Sequence, residues 1–138
     1  MIEIAHQGGD RFAVRIRGHE LVTDQPADAG GDDAGPTPTE LFVAGLASCV
    51  AFYAGRFLRR HADASVPFSV ACSYDMSADR PARVASVRLS VNVPTALPDD
   101  VRDGLLRAAE HCTVHNSLRT PPDVRISVRD AMPANAGR

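Results

Sequence analysis

The side chains with the most chemistry in this chain are three thiols, Cys49, Cys72 and Cys112, set among fifteen basic residues that are all arginine. A thiolate is the reactive form of cysteine, and it forms near neutral pH only beside a cation or similar stabilising group. Arginine suits that task, because it keeps its charge when partly buried. Two thiols brought together support two-cysteine peroxide chemistry: one attacks a peroxide oxygen and becomes a sulfenic acid, and the other condenses with it to a disulfide. Cys49 and Cys112 lie 63 positions apart, so only tertiary structure can join them. Arg11, Arg15 and Arg17 fall on one face of an early strand and are the candidate cations. The plain alternative is that each Cys is a small buried hydrophobe, the commonest state of a free thiol. For Cys72, in the strand-like run SVACSYD, packing is the reading adopted.

Other constellations are weaker. His111, Cys112 and His115, with Cys49 or His61, contain zinc-ligand types, but no second pair completes a tetrahedral set. His115 and Asn116 after Cys112 suggest a Cys/His/Asn hydrolase only by adjacency, and a triad is defined by geometry. Gly30-Gly31 lies in an acidic loop without a phosphate-loop pattern, and the Asp spacing there fits no calcium loop. Ser48, beside Cys49, is expected to bond to a backbone carbonyl. No metal or cofactor is expected. The formal net charge of −2 argues against a nucleic-acid partner or an anionic membrane surface. No apolar run is read as a membrane span, and the N-terminus lacks the pattern of a signal peptide. A reducing cytoplasm is therefore the expected location, where structural disulfides are rare.

The elements that must position these residues follow from pattern. The chain has 138 residues, 44% of them hydrophobic and 23% charged, as expected of one globular domain. Ile2–His6 and Arg11–Arg17 alternate as strands around a Gly8-Gly9-Asp10 turn, and Glu20–Thr23 makes a third after Gly18-His19. Asp24–Gly35 reads as a flexible surface loop. Thr37-Pro38-Thr39-Glu40 is a capping box with Pro at the first helical position, opening a helix to about His61. That helix is apolar nearly all round and is expected to be buried on every side, which suggests a second copy as cover. Arg56, Arg59, Arg60 and His61 collect at its C-terminal end, where positive charge suits the helix dipole. Pro67–Ser77 and Arg83–Val93 read as strands joined at Asp79-Arg80-Pro81. Pro98 to about His111 reads as a second helix, Val124–Val128 as a last strand, and Asp130–Arg138 as a frayed tail. The order βββ-α-ββ-α-β, with hairpins in place of crossovers, makes an α+β fold of antiparallel sheets packed on two main helices.

Gly35–Val50 (GPTPTELFVAGLASCV) and His111–Leu118 (HCTVHNSL) together resemble the OsmC/Ohr family of small thiol peroxidases. Both cysteine neighbourhoods match in order and spacing, as does the order of elements, so the resemblance covers most of the chain. It implies one OsmC-like domain over residues 1–130, with a C-terminal tail at 131–138. It implies an intertwined homodimer with active sites at the subunit interface. The implied activity is reduction of organic hydroperoxides, without metal or prosthetic group and with a dithiol as reductant. By the resemblance Cys49 is the peroxidatic cysteine and Cys112 the resolving one. Arg11 matches the thiolate-stabilising Arg of the N-terminal hairpin, one residue later after the Gly-Gly turn. Glu40 matches the Glu that orients that Arg, but it stands next to Leu41 where the family has its Glu one residue earlier. Thr113 follows Cys112 where the family commonly has Pro. These departures resemble the less characterised OsmC-like branch and keep an alternative in view: a small-ligand-binding or redox-sensing module without significant peroxidase activity.

Overall fold

The structure is a computed structural model that describes residues 1–62 and 67–131. Strands β1 (Ile2–Gly8), β2 (Arg11–Ile16) and β3 (His19–Thr23) form an antiparallel sheet in that order. Gly8 and Gly9 carry the first turn with φ of 107° and 55°, a region open to glycine. The second turn is the pair Arg17-Gly18, with Arg17 itself at φ 55°. Arg15 and Glu20 face each other across β2 and β3 and pair at 2.8 Å.

Helix α1 (Pro38–His61) begins at the expected capping box. Thr37 Oγ1 accepts the Glu40 N–H at 3.1 Å, and the Glu40 carboxylate accepts the Thr37 N–H at 2.8 Å. Strands β4 (Ser69–Met76) and β5 (Val84–Asn92) form a second, two-stranded antiparallel sheet. Helices α2 (Asp99–Glu110) and α3 (Thr113–Arg119) complete the order. α1 packs on α2, β4, β5 and α3, whereas the first sheet makes at most marginal contact with any of them. The core divides into two adjoining clusters along α1. One holds Leu46, Val50, Ala109 and Cys112, and the other Ala54, Leu58 and Leu105.

The α+β class, the antiparallel sheets and the order of elements through α2 stand as expected. Four details differ. Val124–Val128 is not a strand, because no neighbouring strand offers it hydrogen bonds among the described residues; Val124, Ile126 and Val128 are 73%, 90% and 93% exposed. A third helix, α3, forms where none was expected, capped by a cysteine. α1 is not buried on all sides. Val43, Leu46, Val50, Ala54 and Leu58 face inward, while Phe42 and Phe52 are about half exposed. By length and mean hydropathy α1 is also able to cross a membrane, contrary to the reading from runs of apolar residues; it nevertheless packs as the core helix, which is compatible with a soluble fold.

The loop expected to be flexible is built around one carboxylate. Asp24, 1% exposed, accepts the backbone N–H groups of Gln25, Asp32 and Ala34 at 2.8–3.1 Å. These bonds, led by that from Ala34 and joined by the charge of Arg11, hold its pKa below the ordinary carboxylate value against the opposing effect of burial. Gly31 and Gly35 press against the Gln25 and Val22 carbonyls, where a Cβ would collide. The expected tail lies outside the described residues beyond Ala131.

Candidate active site

The fold brings Cys49 and Cys112 together. Cys49 sits half-buried near the middle of α1, and its side chain packs on the cluster of Leu46, Val50, Ala109 and Cys112. Cys112 is fully buried. Both thiols are free. The position of Cys112 is set by a break between helices: α2 ends at Glu110, and Cys112 turns extended, φ −69° and ψ 149°, before α3 begins. There Cys112 is the N-cap of α3, its sulfur accepting the His115 N–H at 3.3 Å. Burial raises the Cys112 pKa; the His115 N–H works against that rise, and the adjoining Cys49 sulfur adds to it. Cys112 is therefore a protonated thiol at neutral pH.

The neighbouring polar groups are tied to backbone. His111 Nδ1 lies 2.7 Å from the Arg107 carbonyl, and His115 Nδ1 lies 2.9 Å from that of Glu110. Each is placed to donate a ring N–H there, which leaves Nδ1 of His115 unable to act as a base toward Cys112. Among the described residues no group of three or more His, Cys, Asp or Glu is arranged to hold a metal ion. Ser48 donates to the Gly45 carbonyl at 3.1 Å, as its place in a helix suggests. Cys72, expected to be a packing residue, is instead exposed on β4 opposite Leu89.

Arg11 and Glu40 stand apart from the thiols within this chain. The Arg11 guanidinium pairs with Asp32 at 3.0 Å and lies 4.0 Å from Asp24, with a buried Nε–H that has no hydrogen-bond partner. Glu40 spends its carboxylate on the α1 cap. Among the described residues no hydrogen bond or ion pair links either one to Cys49, or one to the other. A contact that sequence reasoning missed lies closer to the thiols: the Tyr53 hydroxyl meets Thr113 Oγ1 at 2.9 Å, joining α1 to the first residue of α3. The signal for it was the position of Tyr53, one helical turn after Cys49, and of Thr113, next to Cys112.

An open groove of about 780 Å³ runs beside the pair, between α1, β5, α2 and α3. Phe42, Leu46, Val50, Leu105 and Ala109 supply much of its apolar wall, with Arg102 and Arg119 among its charged lining residues. Leu46 and Val50 flank Cys49 along α1, but Cys49 itself is not part of the wall.

Two antiparallel sheets, a long core helix carrying one thiol, and a second thiol at a helix cap beside it define a small paired-thiol α+β protein. The OsmC-like protein family matches residues 30–127, and the chain belongs to that family. Solved structures agree. A protein from Psychrobacter arcticus, described by osmotic stress induction and a detoxification response, superposes with a TM-score of 0.75 at 26% identity, over 84% of this chain and 85% of that one. The organic hydroperoxide resistance protein OsmC of Legionella pneumophila gives 0.65 at 22% identity, over 86% and 89%. OhrB of Bacillus subtilis, an organic hydroperoxide resistance protein, gives 0.62 at 20% identity, over 88% and 92%. No curated protein sequence matches the chain.

Proposed function

We propose that the protein reduces organic hydroperoxides through its two thiols, as a homodimer. The carrying observation is the contact of half-buried Cys49 with buried, protonated Cys112. In this reading the Cys49 thiolate attacks the distal oxygen of ROOH, the O–O bond breaks, and the alkoxide takes a proton to leave as ROH. Cys49 is now a sulfenic acid. The Cys112 sulfur attacks it, the S–OH bond breaks, and hydroxide leaves as water with the Cys112 proton. A dithiol then reduces the disulfide and is itself oxidised to a disulfide.

Two features support a homodimer. α1 leaves Phe42 and Phe52 uncovered, and Val124–Val128 has an apolar alternation without a neighbour. The first sheet, nearly free of its own helices, is placed to cover a second copy. Its Arg11, whose buried Nε–H makes no hydrogen bond among the described residues, is the cation we assign to a Cys49 thiolate across that interface, and Glu40 the residue that orients it. The apolar groove beside Cys49 favours organic peroxides over hydrogen peroxide.

Consumption of cumene hydroperoxide in the presence of dithiothreitol tests the reading. Wild-type protein should turn over and Cys49→Ser should not. No turnover in wild type, or equal turnover in Cys49→Ser, overturns it. Because Cys49 is absent from the groove wall, the groove also suits a second reading, a module that binds a small apolar ligand; saturable binding by a protein without turnover would favour it.

A further inference from the structure

We infer that Tyr53 and Thr113 form a positioning pair that holds Cys112 in line for attack on oxidised Cys49. The inference rests on the peroxidase reading, in which Cys112 resolves Cys49. Tyr53 lies four residues after Cys49, so both project from the same face of α1 one turn apart. Its ring is part of the packing around the Cys112 cluster, and its hydroxyl reaches Thr113 Oγ1 at 2.9 Å across 60 residues of sequence. Thr113 is covalently next to Cys112. The side-chain tie therefore closes a small ring of structure: Cys49, one turn of α1, Tyr53, Thr113 and Cys112.

The Thr113 hydroxyl is free for this task because it does not cap its own helix. That role falls to Cys112, whose sulfur takes the His115 N–H. The two interactions divide the work. The His115 N–H sets which way the Cys112 sulfur points, and the Tyr53 bond sets where the backbone beneath it lies relative to α1. Thr113 is itself exposed, so water can replace the bond and overall stability depends little on it. Attack on a sulfur depends on alignment, where a small displacement carries a large rate effect.

Proline at position 113 is a sharp probe. Cys112 has φ −69° and ψ 149°, the backbone that a residue before proline prefers, and Thr113 is the first residue of α3, where proline is tolerated. Thr113→Pro thus keeps the helix while removing the hydroxyl; the backbone N–H it also removes has no partner within the helix.

The test measures ring closure directly, without a peroxide. In a Cys72→Ser background, Cys49 is converted to its mixed disulfide with 5-thio-2-nitrobenzoate. Cys112 then displaces that group: the Cys49–Cys112 bond forms, the mixed disulfide breaks, and the coloured thiolate is released with a proton. Added Cys112→Ser should hold the label and identifies the signal. Tyr53→Phe, Thr113→Val and Thr113→Pro should each slow release about fivefold, the rate equivalent of one ordinary hydrogen bond of about 1 kcal/mol. Thr113→Ser should close at the wild-type rate. Tyr53→Phe combined with Thr113→Val should be no slower than either alone, and melting temperatures should stay put. Closure by Tyr53→Phe at the wild-type rate overturns the inference, as does a double variant whose losses multiply. Wild-type protein that closes the ring but leaves cumene hydroperoxide intact overturns the peroxidase reading instead, and leaves the positioning result standing.

Discussion

Gly104 sets how closely α2 approaches α1, and replacing it with alanine should be destabilising although alanine is the better helix former. A Cβ at position 104 would lie 2.5 Å from Phe57 Cζ and 2.8 Å from Cε2, about 1 Å inside ordinary carbon contact. The ring is half-buried and stacks on exposed His61 at 4.4 Å, so it can yield only by giving up part of that stacking. Overpacking of this kind costs about 1–3 kcal/mol. Against it stands a gain of about 1 kcal/mol from the higher helix propensity of alanine. The net loss, up to about 2 kcal/mol, corresponds to a fall of up to roughly 6 °C in melting temperature at this chain length. Melting followed by circular dichroism should be run at fixed protein concentration, because the midpoint of the proposed homodimer would depend on it. Phe57→Leu in the same chain should recover part of the loss by removing the ring atoms that collide. The proposed function is touched too: Cys112 lies eight residues beyond Gly104, about 12 Å along the helix direction, so tilting α2 displaces the thiol proposed to resolve Cys49. Gly104→Ala should therefore also slow Cys49–Cys112 closure. A Gly104→Ala protein that melts at or above wild type would refute the claim that the bare glycine sets this approach.

Cys112→Ser should fold, since a serine oxygen also caps α3. Excess cumene hydroperoxide should then carry its Cys49 to the sulfinic and sulfonic acids, visible by mass spectrometry, where wild type stops at the disulfide. The raised Cys112 pKa has a definite sign in stability: above the ordinary thiol value of about 8.5 the unfolded chain releases a proton that the folded chain keeps. Denaturant midpoints of the reduced protein should therefore fall as pH rises past that value, and Cys112→Ser should flatten the decline. Asp24 works in the opposite sense: its lowered pKa adds stability present above about pH 3.9 that is lost as pH falls further. Asp24→Asn should weaken the protein at neutral pH and reduce the acid sensitivity, and an unchanged acid limb would contradict the role given to the carboxylate. Ile126→Asp, at a site 90% exposed in the single chain, should leave the fold intact and shift size-exclusion elution toward the monomer; an unaltered dimer would remove Val124–Val128 from the proposed interface.

What could be read from the sequence was set by how local its cause is. The α1 cap was legible because all its parts, Thr37, Pro38 and Glu40, lie within four residues. β1 to β3 were legible because short turns fix their register. α3 was not, since its cap is a cysteine, and sulfur accepts backbone N–H groups too weakly to stand among the usual start signals. The thiol pair was proposed from chemistry and likeness, but the Tyr53–Thr113 tie needed the packing of α1 against the helix junction. Arg11 shows a different limit. It lies on β2 with Arg15, while Arg17 falls in the turn after the strand, and a carboxylate 21 positions later, Asp32, takes the Arg11 guanidinium in the single chain.

Val124–Val128 and the outer face of α1 raise one point in common. Alternation of apolar residues states that a segment has a side to bury, and says nothing about which chain buries it. A strand exists only where a neighbour supplies the other half of each backbone hydrogen bond, and an apolar helix is buried all round only where something covers its far side. In the single chain both demands go unmet: Ile126 and Val128 face water, and so do Phe42 and Phe52. The first sheet, meanwhile, has open edges at β1 and β3 and almost no contact with the helices or the second sheet. One two-fold interface between copies would answer all three at once. Two of the departures from the expected elements, Val124–Val128 and the outer face of α1, thus fall on surfaces that a homodimer would need.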